Sequence, residues 1–197
     1  PVISFIGSTG TGKSFLVNKT LADEGLTKSK DWFLIKGKMT TASLYQNLFI
    51  HRKGKLLVFD DTDSLWNDSE ASNILKAALD SFDERTISWN SSRTVNVSLM
   101  SQEEKEEFND NVDNKILTDP SAPIKLPSEF IYEGRIIFIS NLTIDKFDSA
   151  VLTRSAKIDM TLTDDQIFER MKSILPFLGD KNVDLDTKER ILEILKN

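Results

Sequence analysis

"ISFIGSTGTGKSFLV", residues 3–17, carries an apolar run into a helical pattern through a loop holding Gly7, Gly10 and Gly12. Its middle reads Gly7, Ser8, Thr9, Gly10, Thr11, Gly12, Lys13, Ser14 and fits G-x-x-x-x-G-K-[ST] at every fixed position. Glycines let backbone wrap closely around phosphate oxygens, and the N–H groups opening the following helix face an anion where the helix dipole favours one. In this pattern Lys13 reaches the β and γ phosphates and Ser14 is a magnesium ligand. With Phe15 on the first helical turn, Gly7 to Phe15 form the candidate nucleotide-binding set. An ordinary Gly-rich turn is the competing reading. The apolar strand before the loop and the helix after it are what phosphate binding requires.

Working outward, short apolar runs alternate with helical patterns, the signature of a mostly parallel sheet with crossover helices. Five strands are expected: Val2 to Ile6, Trp32 to Lys36, Lys55 to Asp60, Arg135 to Asn141 and Lys157 to Leu162. "LLVF" and "IIFI" lack polar alternation, which places those two strands at the centre, covered on both faces. Helical spacing covers Lys13 to Glu24, Thr41 to His51 and Glu70 to Phe82. After the fifth strand, Thr163 is an N-cap candidate for a helix with Ile167, Met171, Ile174 and Leu175 on one face, and "DTKERILEILK" predicts a second. His51 falls at a helix end.

Residues Asn90 to Glu133 break the alternation. They hold the acidic tract Glu103 to Asp113 and a Pro-containing stretch, and residues 93–128 read as a mobile insertion into an α/β core spanning 1–162. "TISW" and "EFIY" would pair as a hairpin across its base. Residues 163–197 then form a partial helical lid.

The chain has 197 residues, 39% hydrophobic and 28% charged, with a net charge of -6. No apolar run approaches the ~20 residues of a membrane span, so a soluble protein without membrane partners is expected. The absence of Cys excludes disulfide and thiolate chemistry and fits a cytoplasmic location, and a single His makes a His-based metal site improbable. In that compartment the sequons at Asn18 and Asn141 carry no glycan. The chain starts at Pro1 without Met, which suggests a piece of a longer protein.

Two further strands complete the chemistry. "KLLVFDD" ends in Asp60, the metal-side carboxylate, and Asp61, placed to orient or deprotonate an attacking water. A turn cap is the alternative for this acidic run. "RIIFISN" ends in Asn141, an amide that can position water beside a γ phosphate if the two strands are neighbours. The order of these elements, followed by "FDSAVLTRSAKIDM" and a helical tail, resembles the AAA+ ATPase superfamily along nearly the whole chain. "LYQNLFIHRKGKLLVFDDTDSL", "ILKAALD" and "GRIIFISNL" are similar to AAA+ ATPases of large bacteriophages.

The resemblance implies a three-layer P-loop fold with strand order 5-1-4-3-2 and a short C-terminal helical lid. It implies ATP and Mg2+ as cofactors, and a homo-oligomeric ring, for example a hexamer, acting on a protein or DNA partner in the host cytoplasm if the protein is viral. Gly7 to Ser14 become the Walker A loop, Asp60 and Asp61 the Walker B pair, Asn141 sensor 1, and Arg154 an arginine finger reaching a neighbour's nucleotide. Arg135 and Arg93 are second choices for that finger. A surface ion pair with Asp148 or Asp159 is the alternative for Arg154. Two positions depart from the family: Asp61 stands where Glu is usual, and sensor 2 has no clear counterpart, Arg190 being one option. A small-molecule kinase and a nucleotide-gated scaffold without turnover remain open, whereas the absence of an N-K-x-D signature in a suitable place disfavours a GTPase.

Overall fold

The apolar runs form the centre of a five-stranded parallel sheet in a computed structural model that describes residues 2–82, 84–90, 94–96, 123–142, 146, 149–177 and 183–195. The chain runs β1 (Val2–Ile6), α1 (Lys13–Asp23), β2 (Trp32–Lys36), α2 (Thr41–Ile50), β3 (Leu56–Asp60), α3 (Ser69–Ala78) and β4 (Thr86–Ser88). There follow β5 (Thr94–Asn96), β6 (Pro123–Lys125), β7 (Glu129–Ile131), β8 (Arg135–Ser140), α4 (Ser149–Thr153), β9 (Ala156–Asp159), α5 (Asp164–Ile174) and α6 (Leu185–Leu195). The sheet order is β2-β3-β8-β1-β9. Counting its strands one to five along the chain gives 5-1-4-3-2, as expected.

Successive residues of a strand face opposite sides of the sheet, and the two central strands use both faces. Leu57 and Phe59 of β3 join Ile136 and Phe138 of β8 against Leu44 and Leu48 of α2 and Ile74 and Leu75 of α3. On the other face Val58, Ile137 and Ile139 meet Val17 and Leu21 of α1. Three layers result. Burying each such side chain contributes about 1.5–3 kcal/mol, enough to fix the register that places the strand ends.

Helix starts are set by side chains, with one informative exception. Thr40 accepts from Ser43 N–H, Asp68 from Glu70 and Ala71 N–H, and Thr163 forms a reciprocal capping box with Gln166. Gly12, the N-cap of α1, has no side chain to do this. The first-turn N–H groups of α1 stay available to an anion.

Two expected boundaries are corrected. Strand five stops at Asp159 instead of Leu162, because Asp159 Oδ1 accepts from Thr161 N–H at 2.8 Å and turns the chain. The helix expected to reach Phe82 ends at Ala78; Asp80 Oδ1 takes Ser81 N–H at 2.7 Å, and Phe82 stands 75% exposed beyond it.

"TISW" and "EFIY" do pair: β4 and β7 are antiparallel, with Ile87 opposite Phe130. Beyond them β5 and β6 form a second antiparallel pair, which the sequence reading did not anticipate within 93–128. The acidic tract Glu103 to Asp113, Arg93 and Asp148 lie outside the described residues. At the C-terminus α5 and α6 pack on each other, with Leu192 buried. No helix among the described residues is long and apolar enough to cross a membrane.

Candidate nucleotide site

Parallel strands all end on the same side, so the loops after β1, β3 and β8 converge. Register makes this exact in residue terms: Ile6 is level with Ser140, and Asp60 with Ile139. A pocket of about 260 Å3 opens there, lined by Thr9, Gly10, Gly12, Lys13, Ser14, Phe15, Asp60, Asp61, Ile139 and Asn141. Phe15 is 70% exposed at its rim.

Lys13 is buried, and its ammonium donates to Gly7 O at 2.7 Å, Ser8 O at 2.8 Å, Thr11 Oγ1 at 3.5 Å and Asn141 Oδ1 at 2.9 Å. Burial lowers its pKa, opposed by the charges of Asp61, Asp60 and Asp63. Asn141 joins the two sides of the site. Its Oδ1 faces the ammonium, and its Nδ2 donates to Asp61 Oδ1 at 2.8 Å. The reverse amide orientation would set NH2 against an ammonium and oxygen against a carboxylate, so the neighbours fix it.

Asp60 is buried, and its Oδ1 accepts from Ser14 Oγ at 3.1 Å. That pair unites the hydroxyl and carboxylate expected on the metal side. Among the described residues no group of three or more His, Cys, Asp or Glu could hold a metal, so a protein-only cage is not what these residues build. A hydroxyl and a carboxylate fit a hard ion such as Mg2+, which takes few protein ligands and completes its shell with phosphate oxygens and water. Asp61 has φ 55, in the left-handed region uncommon for residues other than glycine, and this turns its side chain back toward Asn141. Ser140 Oγ donates to Asp63 Oδ1 at 2.6 Å, steadying the turn after β3.

Gly7 is required by space as well as by conformation. At φ 145, a Cβ there would lie 2.7 Å from the Met160 carbonyl carbon and 2.8 Å from Thr161 N. The backbone leaving β9 therefore touches the loop after β1, and Met160 N–H donates to Ile6 O at 2.7 Å.

The solved structure of the RuvB Holliday junction branch migration motor of Thermotoga maritima superposes with a TM-score of 0.52, covering 96% of this chain and 47% of that one at 13% identity. The chain has a P-loop fold of AAA+ type. No protein-family model matches it. An uncharacterized 36.7 kDa protein of Enterobacteria phage T4, from the nrdC-mobD intergenic region, is 25% identical over 181 residues, covering 86% of this chain and 48% of that protein. The chain thus spans about half the length of both proteins.

Within this AAA+ fold, Gly7 to Phe15, Asp60, Asp61 and Asn141 are brought together, and Arg154 is not. Arg154 precedes β9, whose Ala156 is level with Ile3, so its backbone starts roughly 15 Å along the strand from the loop after Ile6. It lines a cleft at the opposite end of the sheet with Val2, Leu79, Phe82 and Arg85. Arg190 pairs with Asp186 one turn away, both largely exposed, a solvated helix pair of little energetic weight. His51 is the C-cap of α2 and stacks on Phe33.

Two cations at the site escaped the sequence reading. Lys36, the last residue of β2, lies 3.2 Å from Asp60 Oδ2 and 3.4 Å from Asp61 Oδ2. Its pKa is raised, first by the hydrogen bond to Asp60. The signal available was its position ending the strand next to β3. Arg170 of α5 lays its guanidinium over Gly12, where a Cβ would meet it. Its signal was weaker: it falls three residues after Ile167 and four before Ile174, on the same face of a helix that has no buried residue.

Proposed function

We propose that this chain binds ATP with Mg2+ and hydrolyses it, as the core of a homo-oligomer that couples turnover to moving or remodelling a macromolecular partner. The observation that carries the reading is the Asn141 bridge between Lys13 and Asp61, beside the Ser14–Asp60 pair. One amide connects the cation that would bind the β and γ phosphates to the carboxylate that would hold the attacking water. Magnesium, held through Ser14 and Asp60, would neutralise charge on those phosphates. Asp61 and Asn141 then orient water for in-line attack, Asp61 taking its proton.

Arg154 is the residue that would make the site intersubunit. From the far end of the sheet it serves a second copy's γ phosphate, countering charge that develops in transfer. The core 1–162 and a lid 163–197 are the corresponding domains, with Arg170 as the lid's contact to the loop. The phage T4 relative supports a phage setting, in which the host cytoplasm is the site of action.

ATP turnover per subunit, measured across a protein dilution series, tests both halves. Turnover is expected to rise through the assembly transition, and Lys13→Ala to lower it at least about 100-fold. A rate independent of concentration would remove Arg154 from the site. Binding without turnover is favoured by one observation: both oxygens of Asp61 are already engaged, by Asn141 and by Lys36. ATP affinity with no phosphate release would establish that second reading.

A further inference from the structure

Building on the nucleotide-site reading, we infer that Lys36 is an internal counter-cation of the metal-side carboxylates, which an arriving divalent ion must displace. Lys36 thereby sets how tightly the site holds its metal. Asp60, Asp61 and Asp63 crowd the end of β3, and Asp60 is buried. A buried carboxylate needs a cation or donors close by. Lys13 does not supply that partner directly: its ammonium is committed to Gly7 O, Ser8 O and Asn141, and it reaches Asp61 through the Asn141 amide. Lys36 does, pairing with Oδ2 of both Asp60 and Asp61.

The division of Asp60 is the informative detail. Ser14 takes Oδ1 and Lys36 takes Oδ2, so an ion drawing on Ser14 and Asp60 meets an ammonium already seated on the same carboxylate. Two cations at that range repel. The side chain of Lys36 is 58% exposed, against 4% for Asp60, and β2 is an edge strand. An exposed four-carbon stem swings into water easily, whereas the buried carboxylate stays put. Metal entry and ammonium departure are therefore one exchange. Lys36 acts by placing charge beside Asp60 and Asp61.

Binding of Mn2+ to the ADP-loaded protein, followed by the loss of free-ion electron paramagnetic resonance signal, tests the exchange. Lys36→Met is expected to bind Mn2+ about 1.5- to fivefold tighter than wild type, the range an exposed ion pair yields, and Lys36→Arg to stay near wild type. The rise in unfolding midpoint on adding Mn2+ to the ADP complex should likewise be larger for Lys36→Met, with Lys36→Gln as a second variant should the first fold poorly. Unchanged or weaker Mn2+ binding by folded Lys36→Met and Lys36→Gln overturns the counter-cation role alone. Failure of the wild-type ADP complex to bind Mn2+ overturns the site reading with it.

Discussion

The two ends of the central sheet are built on different principles. At the end where β1, β3 and β8 finish, side chains bond to one another across segments distant in sequence: Lys13 to Asn141, Asn141 to Asp61, Ser14 to Asp60, and Lys36 to both aspartates. At the other end, charge is spent on the fold. Arg85 donates to Ala78 O and Gly134 O, both at 2.9 Å, and lies over the Tyr132 ring. A parallel sheet gives all its strands the same direction, so one end gathers the loops that can carry chemistry and the other can only brace. Arg154 is the residue whose proposed role crosses this division.

The sharpest way to break the contrast is Arg154→Ala. Assembled protein should lose turnover by roughly 10³-fold while its ATP affinity, measured by titration, stays unchanged. A parallel loss of affinity would mean that the bracing end serves its own chain's loop. Next in size is a pair within the loop. Gly7→Ala should lower the free energy of unfolding by about 2–4 kcal/mol in urea, since it combines a forbidden backbone conformation with a collision against the Met160 backbone. Gly10→Ala, with a positive φ but nothing within 4 Å of its Cβ, should cost only about 1 kcal/mol. Equal costs would show that conformation alone, rather than close approach, governs the loop.

The smallest effect belongs to the scaffold. Asp68 accepts from Thr41 Oγ1 at 2.6 Å and caps α3, and these bonds, the Thr41 hydroxyl first, hold its pKa below the ordinary aspartate value. A depressed carboxylate stabilises the fold above its unfolded pKa, and that contribution is lost as pH falls through the folded value. Melting of Asp68→Asn should therefore fall short of wild type at neutral pH by a gap that narrows below pH 4. A gap independent of pH would assign the effect to shape instead of charge.

How far these features were legible depends on how each is held together. The loop Gly7 to Ser14 is contiguous, and its spacing is the mechanism, so sequence sufficed. Asp60, Asp61 and Asn141 end apolar runs whose lack of alternation marks central strands, and parallel strands at the centre must finish near one another. Lys36 and Arg170 were hidden because nothing local distinguishes them. One depends on β2 lying beside β3, the other on α5 folding back over the loop. The strand and helix ends at Asp159 and Ala78 were missed for a local reason: short side-chain bonds from Asp159 and Asp80 outcompete the periodicity around them.

The contact between Gly7 and the Met160–Thr161 backbone has a mechanical side. No side chain lies between the two strands of backbone to yield when either is pushed, and three residues further on Asp164 begins the helix that carries Arg170. The loop after β1 thus bears on the C-terminal segment at two points, rigid backbone at Gly7 and a long, yielding side chain where Arg170 lies over Gly12.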